Sequence, residues 1–80
     1  MKCDYVIKVT TSKERVYECR SKYDVFLFLN MIDANEYHHF GENWLRHGSV
    51  EITGKINRFF YFRKDLLDFA TKMVKEYYSK

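Results

Sequence analysis

Imidazole and carboxylate side chains are the usual ligands of zinc and similar ions, and five of them fall close together here: Glu36, His38, His39, Glu42 and His47. Their spacing fits no metal-binding pattern. Adjacent His38 and His39 point different ways on most backbones, so at most one of them can join His47 at a common ion. The segment reads as a solvated loop. The templates of catalysis fail as well: there is no Gly-rich phosphate loop, no Cys-x-x-Cys pair, no His-Glu-x-x-His helix and no Gly-x-Ser-x-Gly elbow. The expectation is a protein that is not an enzyme and holds no metal or cofactor.

The stretch with the clearest binding chemistry is Arg58-Phe59-Phe60-Tyr61-Phe62-Arg63. Rings stack on bases or fill protein pockets, and the flanking cations can hold phosphates or carboxylates. On a strand, successive side chains alternate faces, so Phe59 and Tyr61 share one side and Phe60 and Phe62 the other. A sheet with both helices on one face cannot hide all four rings. Trp44, near Phe40 and Leu45, offers a choice between plugging the edge of the core and anchoring a partner.

These groups must be carried by one small fold. Eighty residues, 46% of them apolar, with seven Phe, seven Tyr and one Trp, can fill one modest core. Cys3 and Cys19 lack ligand spacing and do not make a disulfide framework, so reduced, partly buried thiols are expected. No run of about 20 apolar residues is present to cross a bilayer, and the chain opens on a strand-like pattern rather than a leader. A cytoplasmic protein without membrane contact is the expectation. The net charge of +3 is unevenly spread. Between Lys22 and Arg46 there is no basic residue, whereas Lys55, Arg58, Arg63 and Lys64 cluster without an acid. Such asymmetry points to a partner surface, or to two halves that answer each other.

Hydrophobic period places the elements. Tyr5 to Thr10 and Arg15 to Arg20 alternate like strands around a polar break, giving a first hairpin. Ser21, with Asp24 three residues on, resembles a capping box. The run Val25 to Ile32 is apolar nearly all round, which predicts a well-buried helix ending near Asp33 to Asn35. Residues 36–48 read as a loop with one helical turn at Trp44 to Arg46. Ser49 to Thr53 and residues 57–63 form a second hairpin about Gly54-Lys55, and Asp65 to Ser79 an amphipathic helix. The fold class expected is a single α+β domain, ββαββα. Its halves, 1–35 and 49–80, would build a four-stranded, largely antiparallel sheet with two helices mainly on one face.

A faint repeat relates the halves. At an offset of 43, Thr10, Arg15, Arg20 and Phe26 match Thr53, Arg58, Arg63 and Phe69. The repeat also bears on register. A two-residue Gly54-Lys55 turn would set Phe59 opposite Val50 and turn Phe59 and Tyr61 inward. The repeat instead turns Phe60 and Phe62 inward, leaving Phe59, Tyr61 and Arg63 outward beside Lys8 and Arg20. A one-residue slip exchanges the faces, and the repeat register is the one followed here.

Two functions fit these residues. The first is a non-catalytic domain working by protein-protein contact, as a homodimer or as an inhibitor of another macromolecule, in the manner of small phage or mobile-element proteins that counter host defence. The second is a module for single-stranded nucleic acid that uses an open aromatic and basic sheet face. The residues expected to make contact are Lys8, Arg20, Trp44, Lys55, Phe59, Tyr61, Arg63 and Lys64.

Overall fold

A computed structural model of the chain describes residues 3–11 and 13–79. Strands β1 (Tyr5–Thr10) and β2 (Glu14–Cys19) form the first hairpin, and β3 (Val50–Gly54) and β4 (Arg58–Phe60) the second. The four lie in one antiparallel sheet in the order β2-β1-β3-β4. Helices α1 (Lys22–Phe40) and α2 (Arg63–Tyr78) complete the expected ββαββα order.

Alternation decides which sheet face is covered. Tyr5, Ile7 and Val9 of β1, Cys19 of β2, Val50 and Ile52 of β3 and Phe60 of β4 are buried in one core with Val25, Leu29 and Ile32 of α1 and Leu66, Phe69, Ala70 and Met73 of α2. Their neighbours Val6, Lys8, Val16, Glu18, Glu51, Thr53 and Phe59 are half-buried or exposed on the opposite, open face. Helix α2 runs back along α1. Tyr77 packs on Tyr23 at one end, with ring centroids 5.2 Å apart, and Arg63 meets Asp33 at the other.

Helix α1 starts as the sequence suggests. The Ser21 hydroxyl accepts from the Asp24 N–H at 3.2 Å, and the Asp24 carboxylate accepts from the Arg20 N–H at 3.1 Å. Its end is a correction, because residues 36–40 are helical rather than part of a loop. Asp33 does not break the helix, since its carboxylate is paired, and Glu36 extends the inward stripe of Val25, Leu29 and Ile32. The stop comes at Gly41, whose φ of 80° suits a residue without Cβ and whose N–H donates to the Tyr37 carbonyl at 2.8 Å. The helical turn expected near Trp44 is a 3₁₀ helix, Trp44–His47.

The second hairpin follows the repeat register. Val50 pairs with Phe60, Glu51 with Phe59 and Ile52 with Arg58. Shifted back by 43, these are Ile7 with Tyr17, Lys8 with Val16 and Val9 with Arg15, all pairs of the first hairpin. The two-residue turn at Gly54-Lys55 is therefore not formed. Gly54 remains in β3 opposite Tyr5, with a φ of 112°. A Cβ there would come within 2.3 Å of the Asp4 carbonyl oxygen. Strand β4 is also shorter than expected: Tyr61 and Phe62 bend out of the sheet, and α2 begins at Arg63.

Candidate functional site: an exposed aromatic ridge beside a groove

The bend after β4 produces the most conspicuous surface of the molecule. Phe59 leaves the strand on the open face, 46% exposed, and Tyr61 and Phe62 follow at 63% and 69%. The Phe59 and Tyr61 rings pack together at 4.9 Å. Phe60 alone turns inward, 1% exposed, against Phe69 at 5.3 Å. The inward position expected for Phe62 is thus overturned. With the strand ending at Phe60, alternation no longer governs residue 62, which instead stands at the N-cap of α2.

That N-cap is unusual. Phe62 has extended φ and ψ of −123° and 132° and contributes no side-chain hydrogen bond to the helix start, although Ser, Thr, Asp or Asn would satisfy a free N–H there. Beside it lies an open groove of about 460 Å³ lined by Glu42, Asn43, Phe62, Arg63, Lys64, Leu67 and Asp68. Arg46 and Tyr61 border a smaller recess that shares Glu42, Asn43, Phe62 and Arg63. The lining carries both signs of charge beside the apolar Phe62 and Leu67.

Arg63 is held at the back of this groove. Its Nε and an Nη donate to the two carboxylate oxygens of Asp33 at 2.7 and 3.1 Å, and its guanidinium lies 4.8 Å from the Tyr37 ring centroid. The hydrogen bond to Asp33 raises the guanidinium above its ordinary pKa. Trp44 Nε1 donates to the same carboxylate at 2.8 Å. A buried acid with three donors is a satisfied one. This accounts for Trp44, which is completely buried and presents no ring to a partner. Its expected place among the contact residues is corrected: it closes the core and ties the 3₁₀ segment to α1.

A second buried acid is paired in the same way. Glu36, 2% exposed, accepts from Arg15 at 3.0 Å and from the Thr11 hydroxyl. It belongs to no solvated histidine loop. His38 and His39 occupy the last turn of α1, and the His47 ring stacks on Phe40 at 4.6 Å. Among the described residues no three His, Cys, Asp or Glu side chains are gathered as metal ligands would be.

The cations expected around the rings are dispersed. Lys8 is on the open face, but it is two strands from β4 and ion-paired to Glu14 at 2.8 Å. That hydrogen bond raises its ammonium above the ordinary lysine value. Arg20 follows β2 at the far edge of the sheet, three strand spacings or about 14 Å from β4. Lys55 pairs with Asp4 at 3.4 Å. Arg63 faces α1 rather than the open sheet face, which corrects the expectation for it. Lys64, in the first turn of α2, lines the groove beside the ridge, as does Arg63 with its guanidinium bound to Asp33. The open face itself carries Glu14, Glu18 and Glu51.

Sequence reasoning missed Glu42, Asn43, Arg46, Leu67 and Asp68 as groove residues. No local pattern could have found them, because the groove exists only where the 3₁₀ segment meets the start of α2. In comparisons with known proteins, no family model, curated protein or solved structure gives a significant match to this chain. No described helix is long and apolar enough to cross a membrane.

Proposed function

We propose that this chain is a non-catalytic binding domain that takes another protein on the Phe59-Tyr61-Phe62 ridge and in the groove beside it. The observation that carries this reading is Phe62. At a helix N-cap a polar residue would be worth about 1 kcal/mol, and an aromatic ring with 69% of its area in water serves neither helix nor core. Local choices that oppose stability without a compensating contact are expected at functional positions. Three neighbouring aromatic side chains also suit the centre of a protein interface, where Tyr, Phe and Trp are enriched. Groove walls bearing Glu42, Asp68, Arg46 and Lys64 supply a polar rim of both signs. Such a domain acts by occupying its partner, and this extends to the role of inhibitor of another macromolecule.

Single-stranded nucleic acid is the weaker reading. Its stacking platform needs free cations around the rings, yet Arg63 is committed to Asp33, Arg20 lies at the far edge of the sheet and three glutamates share the open sheet face.

The test is affinity capture from nuclease-treated lysate of the source cells, followed by reconstitution with the purified partner. The expectation is a complex that survives moderate salt and is lost in the variant Phe59→Ser/Tyr61→Ser/Phe62→Ser, with its circular dichroism unchanged. A partner retained by that variant would remove the reading. So would tight binding to labelled oligonucleotides that collapses between roughly 50 and 200 mM salt, as counterion release requires.

A further inference from the structure

Helix α1 has a second apolar side, directed away from the core. Leu27, Met31, Ala34 and His38 are all exposed, and they succeed one another at intervals of four, three and four residues. This is the spacing of a coiled-coil seam. Leu27 is 46% and Met31 40% exposed, despite the expectation that this apolar helix would be well buried. Asn30 and Asn35, also exposed, flank the seam. From Val25 to Phe40 no exposed position carries Lys, Arg, Asp or Glu. The two acids of the stretch, Asp33 and Glu36, are buried and held by Arg63 and Arg15. A helix face turned to water is normally charged.

We infer that this face is a homodimer interface, with α1 packed antiparallel on α1 of a second copy. The surface is complementary to itself. An antiparallel two-fold centred between Ile32 and Asp33 sets Met31 of each copy against Ala34 of the other and Leu27 against His38. Large side chains therefore meet the smaller end of the stripe. An open groove of about 470 Å³, lined by Asp33, Ala34, Tyr37, His38 and Arg63, lies at that end. Leu27 of the second copy would seat there, with its Met31 against Ala34 beside it, so knob and hole are carried by one helix, as an isologous contact demands.

Charge favours a second copy over a foreign chain. With no Lys, Arg, Asp or Glu exposed from Val25 to Phe40, α1 meets no like-charge repulsion on packing against itself, whereas discrimination between different partners commonly uses charge at the contact. The seam is short, ~17 Å from Leu27 to His38, and covers less than the ~800 Å² per partner of a standard interface. An interface of that size belongs with the weak, transient associations, so the dimer is expected at micromolar concentrations and above.

This interface is separate from the aromatic ridge, and its test distinguishes the two. Sedimentation of the full chain from about 10 µM to 1 mM, a range suited to weak association, should show the mass rising from 9.8 kDa toward twice that value. Met31→Lys, and independently His38→Glu, should stay monomeric with unchanged helicity, while Phe59→Ser/Tyr61→Ser/Phe62→Ser should dimerise like the parent. A mixture of Leu27→Cys and His38→Cys chains should form the mixed disulfide in preference to either self-linked product. A parent chain that stays monomeric throughout would overturn the inference. So would a dimer abolished by the ridge variant but not by Met31→Lys, or preferential self-linking of Leu27→Cys.

Discussion

The two hairpin-helix halves share a register but put equivalent positions to different uses. Arg15 of the first half reaches a buried carboxylate, Glu36. Arg58, 43 residues on, meets no acid among the described residues and lies over the rings of Phe60 and Phe69 at 5.5 and 5.0 Å. Cys19 ends β2 inside the core, whereas Phe62 at the matching position is in solvent. Helix α1 starts on Ser21, whose hydroxyl caps the Asp24 N–H while the Asp24 carboxylate accepts from the Arg20 N–H, and α2 starts two residues early for the offset, on an uncapped Phe62. The first half is finished as a folding unit. The second gives up strand length and a cap, and the aromatic ridge stands where both are missing. Common backbone geometry thus leaves room for one half to close its ends against the core and the other to leave rings in solvent.

The contrast can be broken most severely at the paired residues of β4. Phe60→Ala should cost about 3–5 kcal/mol by the usual penalty for emptying a core aromatic site, whereas Phe59→Ala should cost less than about 1 kcal/mol, as surface changes do. Urea unfolding of the two variants measures the difference, and similar costs would mean a slipped register. Next in size are the equivalent arginines. Arg15→Ala leaves the buried Glu36 without a cation and with the Thr11 hydroxyl as its remaining partner, a loss of about 3 kcal/mol, while Arg58→Ala removes only its contacts with the two rings, worth about 0.5–1 kcal/mol.

Smaller effects sharpen the comparison at the helix starts. Ser21→Ala should destabilise by about 1 kcal/mol, whereas Phe62→Ser or Phe62→Asp should stabilise by about 0.5–1 kcal/mol. Calorimetry would then register a shift of several degrees in Tm, with the partner lost in the same variants. The smallest effect belongs to the link between halves, Lys22 with Glu76 at 2.6 Å. The hydrogen bond from Lys22 lowers the Glu76 carboxyl and raises the Lys22 ammonium. The contribution is therefore present at neutral pH. It fades as pH falls through the depressed carboxyl value, below the ordinary glutamate range, or rises past the raised lysine value. Tm measured against pH should show Glu76→Gln slightly below the parent at neutrality and converging with it in acid.

Much of this was legible in the residues. Alternation at Tyr5, Ile7 and Val9 and again at Val50 and Ile52, the Ser21 and Asp24 cap and the Leu66, Phe69, Ala70 and Met73 stripe fix ββαββα, because each is a short-range pattern with a physical period. The repeat gave the inward place of Phe60, since equivalent hairpins close alike. The end of α1 was misread because Asp-Ala-Asn resembles a break when the partners of Asp33 are unseen. Continuing the stripe from Ile32 to Glu36 and taking Gly41 as the stop would have found it.

What the chain determined by itself is the order of elements, the faces of its strands and the excess of rings over what one covered sheet face can hide. What only tertiary structure decided is which rings and charges remain free. Arg63 and Trp44 both read as contact residues until a single carboxylate, Asp33, drew them together from positions 30 and 11 residues away. Periodicity describes how a side chain leaves its own backbone, whereas availability depends on what the rest of the fold brings to meet it.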